Sequence, residues 1–148
     1  NSIDIFERCE FDKSNSLADI LLKPTLIYTK AFLKATINNR VKSISHITGG
    51  GLIDNPPRAY NKNLTLKFDM KNFKLPPLFK WLKDKANMSL FELAKTFNCG
   101  IGLLMFVDRK DAELIINDIN KVGYNAFLIG SIIENDINKN VIFDGWDL

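Results

Sequence analysis

Apolar residues recur along this chain with two periods, and the alternation between them lays out the expected elements. The period-2 stretches are Val41–Ile47 and Leu64–Met70, where polar and apolar side chains alternate as they do in a half-buried strand. Leu103–Val107 is apolar throughout, which predicts a strand buried on both faces. Ala126–Ile133 and the short Val141–Phe143 run complete the strands, the last reached through a turn at Asn135–Asn140. Helical spacing predicts a short N-terminal helix capped by Ser2 and carrying Ile3, Ile5, Phe6 and Cys9. Asp12–Ser16 reads as a polar loop, and Leu17–Leu22 as a short helix stopped ahead of Pro24. A longer helix is predicted from Pro24 or Thr25 to Ile37, ended by Asn38-Asn39. Pro76-Pro77 opens the next one, with Leu78, Phe79, Trp81 and Leu82 on one side. Ser89 and Glu92 form a capping box for a helix ending near Phe97. Asp108 caps a helix through Ala112, Ile115, Ile116 and Ile119 that closes at Val122-Gly123. The unit from Gly100 to Ile133 reads as strand, helix, strand, a candidate right-handed crossover in a mixed sheet. With no repeat and no long linker, the pattern predicts one α/β domain.

Two glycine-bearing stretches interrupt this order, each bordering a predicted strand. The first is His46-Ile47-Thr48-Gly49-Gly50-Gly51, followed by Asn55 and Pro57-Arg58. Three consecutive glycines are entropically expensive and permit close backbone approach. A glycine turn entering a helix gathers unpaired N–H groups, and the helix dipole adds roughly 0.3–1 kcal/mol for an anion. Thr48 adds a hydroxyl, and Arg58 is able to clamp a phosphate bidentately. The alternative is a tight turn without a ligand, because the stretch matches neither a Walker A loop nor a dinucleotide fingerprint. The second stretch is Asn98-Cys99-Gly100-Ile101-Gly102. If the two flanking strands are neighbours, both loops could face one cleft. Cys99 reads as a small buried hydrophobe and Asn98 as a turn former.

Composition narrows the function classes. The net charge is +3, and the lysines between Lys67 and Lys85 are mixed with apolar residues, which reads as a solvated face and not a nucleic-acid surface. No apolar run approaches the roughly 20 residues of a membrane helix. Two distant cysteines point to a reducing compartment, so a cytoplasmic location is expected. One histidine leaves no His-rich metal site, and no metal ligands are expected in this chain. The chain starts at Asn1, not methionine, and the pattern puts a helix there at once, so it reads as a piece with natural sequence in front of it.

Four stretches, in order, resemble the C-terminal domain of the phosphoribosylformylglycinamidine cyclo-ligase (aminoimidazole ribonucleotide synthetase) family. They are Leu21-Leu22-x-Pro24-Thr25-x-Ile27-Tyr28, His46 to Gly51, Asn55-x-Pro57-Arg58, and Thr96 to Gly102. The resemblance implies a three-layer α/β/α domain with a mixed sheet, partly ferredoxin-like, occupying residues 1–148. It implies ATP- and magnesium-dependent ring closure of formylglycinamidine ribonucleotide in purine biosynthesis. ATP and magnesium would be bound mainly by an N-terminal domain absent from this chain, so the chain alone would be inactive. The implied partners are a phosphorylated ribonucleotide, that N-terminal domain and a second subunit of a homodimer.

Under this resemblance His46 is the catalytic candidate, by positioning the substrate, stabilising charge on the amide oxygen, or shuttling a proton. Thr48, Gly49, Gly50, Gly51, Asn55, Arg58, Asn98, Gly100 and Gly102 are the candidate substrate or phosphate contacts. The phosphate is either the ribose 5′-phosphate or part of the nucleotide. Leu26 and Lys95 stand where the family often has a basic residue and an arginine, and lysine lacks arginine's fork. Two other readings remain: a related ATP-using enzyme of the formylglycinamidine synthetase, selenophosphate synthetase or thiamine-phosphate kinase type, and a non-catalytic binding or dimerisation domain.

Overall fold

A computed structural model describes residues 3–135 and 139–146. In chain order its elements are β1 (Arg8–Cys9), β2 (Asp12–Ser16), α1 (Leu17–Leu21), α2 (Thr29–Thr36), β3 (Val41–His46), α3 (Gly51–Asp54), β4 (Leu64–Asp69), α4 (Pro77–Lys85), α5 (Leu90–Thr96), β5 (Leu103–Val107), α6 (Arg109–Lys121), β6 (Gly130–Glu134) and β7 (Val141–Asp144). Short 3-10 turns follow α2 and α3, at Ile37–Asn39 and Pro56–Ala59.

The expected mixture of helices and strands is present, and the strands form three sheets. β1 and β2 make a small antiparallel ribbon; β3 pairs antiparallel with β5; β4 lies between antiparallel β6 and parallel β7. The continuous apolar run of β5 has the meaning predicted for it. Leu104 and Phe106 face the main core with Ile47, Leu52, Phe68 and Leu93. Met105 and Val107 face the other side, against Ala31 and Ala35 of α2 and Ile115 and Ile119 of α6. The two alanines are both 2% exposed, and their small size lets α2 sit close to α6.

Several local expectations hold. Ser89 and Glu92 form both bonds of their capping box. α2 gives way at Asn38 and Asn39, which take left-handed φ values of 67° and 54°. Asp108 stands at the N-cap of α6, but its carboxylate pairs with Lys42 Nζ at 3.1 Å and caps nothing.

Five expectations are corrected. Residues 3–7 form no helix, because Ile3, Ile5 and Phe6 are 54%, 43% and 79% exposed and give a helix no buried face. Ser2 lies outside the described residues. Asp12–Ser16 is a strand paired with β1, its Asp12 carboxylate accepting from the Ser14 N–H at 2.9 Å and the Asn15 amide at 2.8 Å. The helix expected from Pro24 or Thr25 starts only at Thr29; the Ile27 carbonyl, which a helix would bond internally, accepts from Tyr124 Oη at 2.7 Å. The Gly100–Ile133 unit is no crossover within one sheet: β5 pairs with β3, whereas β6 pairs with β4. β6 itself starts four residues later than predicted, at Gly130. The expected Asn135–Asn140 turn falls partly on residues 136–138, outside the described set, although Asn135 Oδ1 accepts from the Lys139 N–H at 2.9 Å.

Candidate functional site

The antiparallel pairing of β3 with β5 places His46 opposite Leu103, and the Ile47 N–H donates to the Gly102 carbonyl at 2.9 Å. The C-terminal end of one strand thus meets the N-terminal end of the other, and both glycine loops emerge at the same edge. They are nonetheless built differently.

In the first loop the chain closes on itself through Asn55. Its side chain is 4% exposed, and Oδ1 accepts from the Thr48 N–H at 2.6 Å. The Thr48 carbonyl accepts from the Gly51 N–H at 2.9 Å, and the Gly50 carbonyl from the Asp54 N–H at 2.9 Å. The amides of Thr48 and Gly51 are therefore committed inside the protein, contrary to the expectation that the whole run is free. Those of Gly49 and Gly50 donate to no group among the described residues.

Each glycine has a separate reason to be glycine. Gly51 has φ +55° and lies under the Ala94 carbonyl of α5, where a Cβ would collide. A Cβ on Gly50 would lie 2.7 Å from Asn55 Nδ2 and 2.8 Å from Asp54 Cβ. Gly49 has no positive φ and open space where a Cβ would stand, so nothing in the protein requires a glycine there.

This loop borders a pocket of about 180 Å³ lined by Ile44, Ser45, His46, Thr48, Asn55, Arg58 and Ala59. Of the predicted residues, the structure brings His46, Thr48, Asn55 and Arg58 together here. His46, Thr48 and Arg58 are exposed, and Arg58 has no ion-pair partner among the described residues. The volume is below the roughly 300–1,000 Å³ of drug-sized ligand sites and is enough for a phosphate-sized group. α3 is a single turn of four residues, so its dipole contributes less than the sequence pattern implied.

The second loop is closed by protein. Asn98 Oδ1 accepts from the Gly100 N–H at 2.9 Å, and the Asn98 carbonyl from the Ile101 N–H at 2.8 Å. Gly100 has φ +89° with Pro76 packed against it, and the Tyr28 hydroxyl occupies the space over Gly102. Asn98, Gly100 and Gly102 do not line the His46 pocket, and neither do the glycines Gly49, Gly50 and Gly51 themselves. Cys99 is fully buried, and burial pushes its thiol up to about 12, which suits the hydrophobe reading.

Two features escaped sequence reasoning. Tyr28 packs edge-on against His46, with ring centroids 5.8 Å apart and planes at 69°. Its only sequence signal was its place in the Pro24–Tyr28 stretch. A larger groove of about 720 Å³ lies on the other side of α3, between Ile53, Pro57, Phe91 and β7, and holds none of the predicted residues. Among the described residues no cluster of His, Cys, Asp or Glu is able to hold a metal ion. No helix among them is long and apolar enough to cross a membrane.

Residues 2–141 match the family model described as AIR synthase related protein, C-terminal domain. The phosphoribosylformylglycinamidine cyclo-ligase of Burkholderia multivorans is 41% identical over 133 residues, covering 86% of this chain and 38% of that protein. The same enzyme of Burkholderia cenocepacia gives the same identity and coverage. The bifunctional purine biosynthetic protein ADE1 of Schizosaccharomyces pombe is 40% identical over 128 residues, 86% of this chain and 16% of that protein. This chain spans well under half the length of these relatives. It belongs to the AIR synthase related C-terminal domain family.

Proposed function

We propose that this chain is the substrate-side portion of an ATP-dependent phosphoribosylformylglycinamidine cyclo-ligase, and that the His46 pocket receives a phosphoryl group of the ribonucleotide. One observation carries the reading: His46, Thr48 and an unpaired Arg58 line one pocket, and in the loop that continues from Thr48 the Gly49 and Gly50 N–H groups bond to no described residue, while Gly49 is a glycine that protein packing does not demand. A residue without a side chain, facing open space, lets a ligand approach the backbone.

In the proposed reaction the oxygen of the formyl amide takes the terminal phosphoryl group of ATP, the bond to ADP breaking and the amide N–H giving up its proton, which makes the formyl carbon electrophilic. The amidine nitrogen then attacks that carbon, the carbon–oxygen bond breaks, and phosphate leaves as the ring closes. The residues of this chain bind and orient. The Gly49 and Gly50 amides and the Thr48 hydroxyl donate to phosphoryl oxygens, Arg58 supplies a planar fork, and His46 forms the pocket wall nearest β5. Asn55 acts through the loop by holding Thr48. Asn98, Gly100 and Gly102 set the entry into β5 and contact no ligand.

Among the described residues no carboxylate cluster is placed to hold magnesium, so no step is assigned to the metal in this chain. ATP and magnesium would be held by the remainder of the enzyme. A neighbouring domain and a second subunit are part of this proposal, as is a cytoplasmic location. Leu22, Leu26 and Ile27, exposed by 81%, 61% and 79%, supply an apolar surface near the pocket end for such a neighbour.

The cyclo-ligase names of the relatives favour this chemistry over that of the other ATP-using enzymes. The test is a chimera in which this chain replaces the corresponding region of the Burkholderia multivorans enzyme. ATP-dependent turnover is expected in the chimera and should fall at least about tenfold with Arg58→Ala. A folded chimera without turnover, or turnover indifferent to Arg58 and His46, refutes the proposal.

A further inference from the structure

We propose that Tyr28 is the positioning residue for His46, fixing the plane of the imidazole at the wall of the phosphoryl pocket. Three contacts lock the tyrosine in place. Its ring meets His46 edge-on at 5.8 Å. Its hydroxyl occupies the space above Gly102, and Gly102 is the residue whose carbonyl accepts from the Ile47 N–H, directly after His46. Its backbone starts α2, the Tyr28 carbonyl accepting from the Phe32 N–H at 2.9 Å.

The segment before it is tied from the other side. Tyr124 Oη donates to the Ile27 carbonyl at 2.7 Å, and the rings of Tyr28 and Tyr124 lie 6.4 Å apart. Residues 23–28 have no helix or strand of their own, so these contacts hold the ring where it is. Any side chain at position 102 would evict the hydroxyl, which explains a glycine that has no left-handed φ to require it. Burial, with a smaller effect of Tyr124, raises the phenol above its ordinary range, so it stays a neutral donor at neutral pH. That hydroxyl has no partner among the described residues.

An exposed imidazole on a strand end turns freely, and a ring against its edge removes that freedom before a ligand arrives. The proposal rests on the phosphoryl reading of the pocket, but one part of its test does not. His46 is the only histidine, so its imidazole resonances are unambiguous in the NMR spectrum.

The experiment follows those resonances in the unmodified chain, in Tyr28→Phe and in Tyr28→Leu, with and without inorganic phosphate. Cross-relaxation between the Tyr28 and His46 rings is expected in the unmodified chain. Tyr28→Phe should keep the His46 shifts and pH profile, rescuing what Tyr28→Leu changes. Tyr28→Leu should move the shifts and tautomer ratio and weaken phosphate binding about fivefold, the size of one aromatic contact. His46 signals identical in Tyr28→Leu and the parent overturn the proposal. If Tyr28→Leu does not fold, absence of cross-relaxation in the unmodified chain overturns it instead. Cross-relaxation and Tyr28-dependent shifts without any phosphate response would sink the phosphoryl reading and leave the positioning contact standing.

Discussion

Asn55 offers a way to separate the architecture of the loop from its binding. Replacing it with alanine removes the acceptor for the Thr48 N–H, a 2.6 Å bond from a side chain only 4% exposed. A net hydrogen bond contributes about 0.5–1.5 kcal/mol, and a stranded buried donor costs about 1–3 kcal/mol. Thr48 is exposed, so water reaches its amide in the variant and the cost sits low in that range. Asn55→Ala should therefore lose about 1.5 kcal/mol, or about 3–6 °C in Tm for a chain of this size. Asn55→Asp keeps the acceptor but places a negative charge beside Gly50. Two unit charges 4 Å apart interact by about 1 kcal/mol in water and about 4 kcal/mol near a protein surface. A repulsion of about 2 kcal/mol, roughly 30-fold in phosphate affinity, follows for this half-open pocket. Denaturant unfolding and calorimetric titration with inorganic phosphate read the two effects separately. Asn55→Ala as stable as the parent, or Asn55→Asp binding phosphate equally well, would refute the reasoning.

The glycines should divide in the same way. Gly51→Ala meets the Ala94 carbonyl at a left-handed φ and should cost more than about 3 kcal/mol in denaturant unfolding. Gly49→Ala should stay within about 0.5 kcal/mol of the parent while weakening phosphate binding, because its Cβ enters only open space. Hydrogen bonds from Lys71 and then Lys67 hold the Asp144 carboxyl below its ordinary range. Its contribution to stability is therefore present above the unfolded carboxylate value of about 3.9 and lost as pH falls through the lower folded value. Asp144→Asn should flatten the dependence of Tm on pH between about 2 and 4, and an unchanged acid limb would contradict this.

What sequence made legible followed from strong local signals. The apolar run at β5, the Ser89–Glu92 capping box and the Asn38-Asn39 stop each depend on a few neighbouring residues, and each is where it was expected. Ser16 and Asp19 form a second capping box with the same spacing, although the pattern alone puts Ser16 in a polar loop and only Asp19 in the helix. The polar β1–β2 ribbon has almost no apolar alternation, so periodicity had nothing to detect. The start of α2 depended on Tyr124, nearly a hundred positions away, taking the Ile27 carbonyl. Sheet membership was likewise not local: β6 joins β4 instead of β5, and no pattern within Gly100–Ile133 encodes that choice.

At the site, four of the residues singled out around the first loop, His46, Thr48, Asn55 and Arg58, do line one pocket. Which glycine amides are free was not readable, because it depends on Asn55 folding back seven residues to bond Thr48. The second loop carried equally suggestive residues and is filled by Pro76 and Tyr28. Glycine marked close approach in both loops, but the approaching group is protein in one and open space at Gly49 in the other.

The central claim is that two amides, and not the whole glycine run, are held ready for a phosphoryl group. An amide NMR titration with inorganic phosphate tests it directly. The Gly49 and Gly50 N–H resonances should move together with the Arg58 guanidinium and the His46 imidazole, with Thr48 and Gly51, already bonded, moving far less. Shifts confined to other parts of the chain, or none at these two glycines, would contradict the claim.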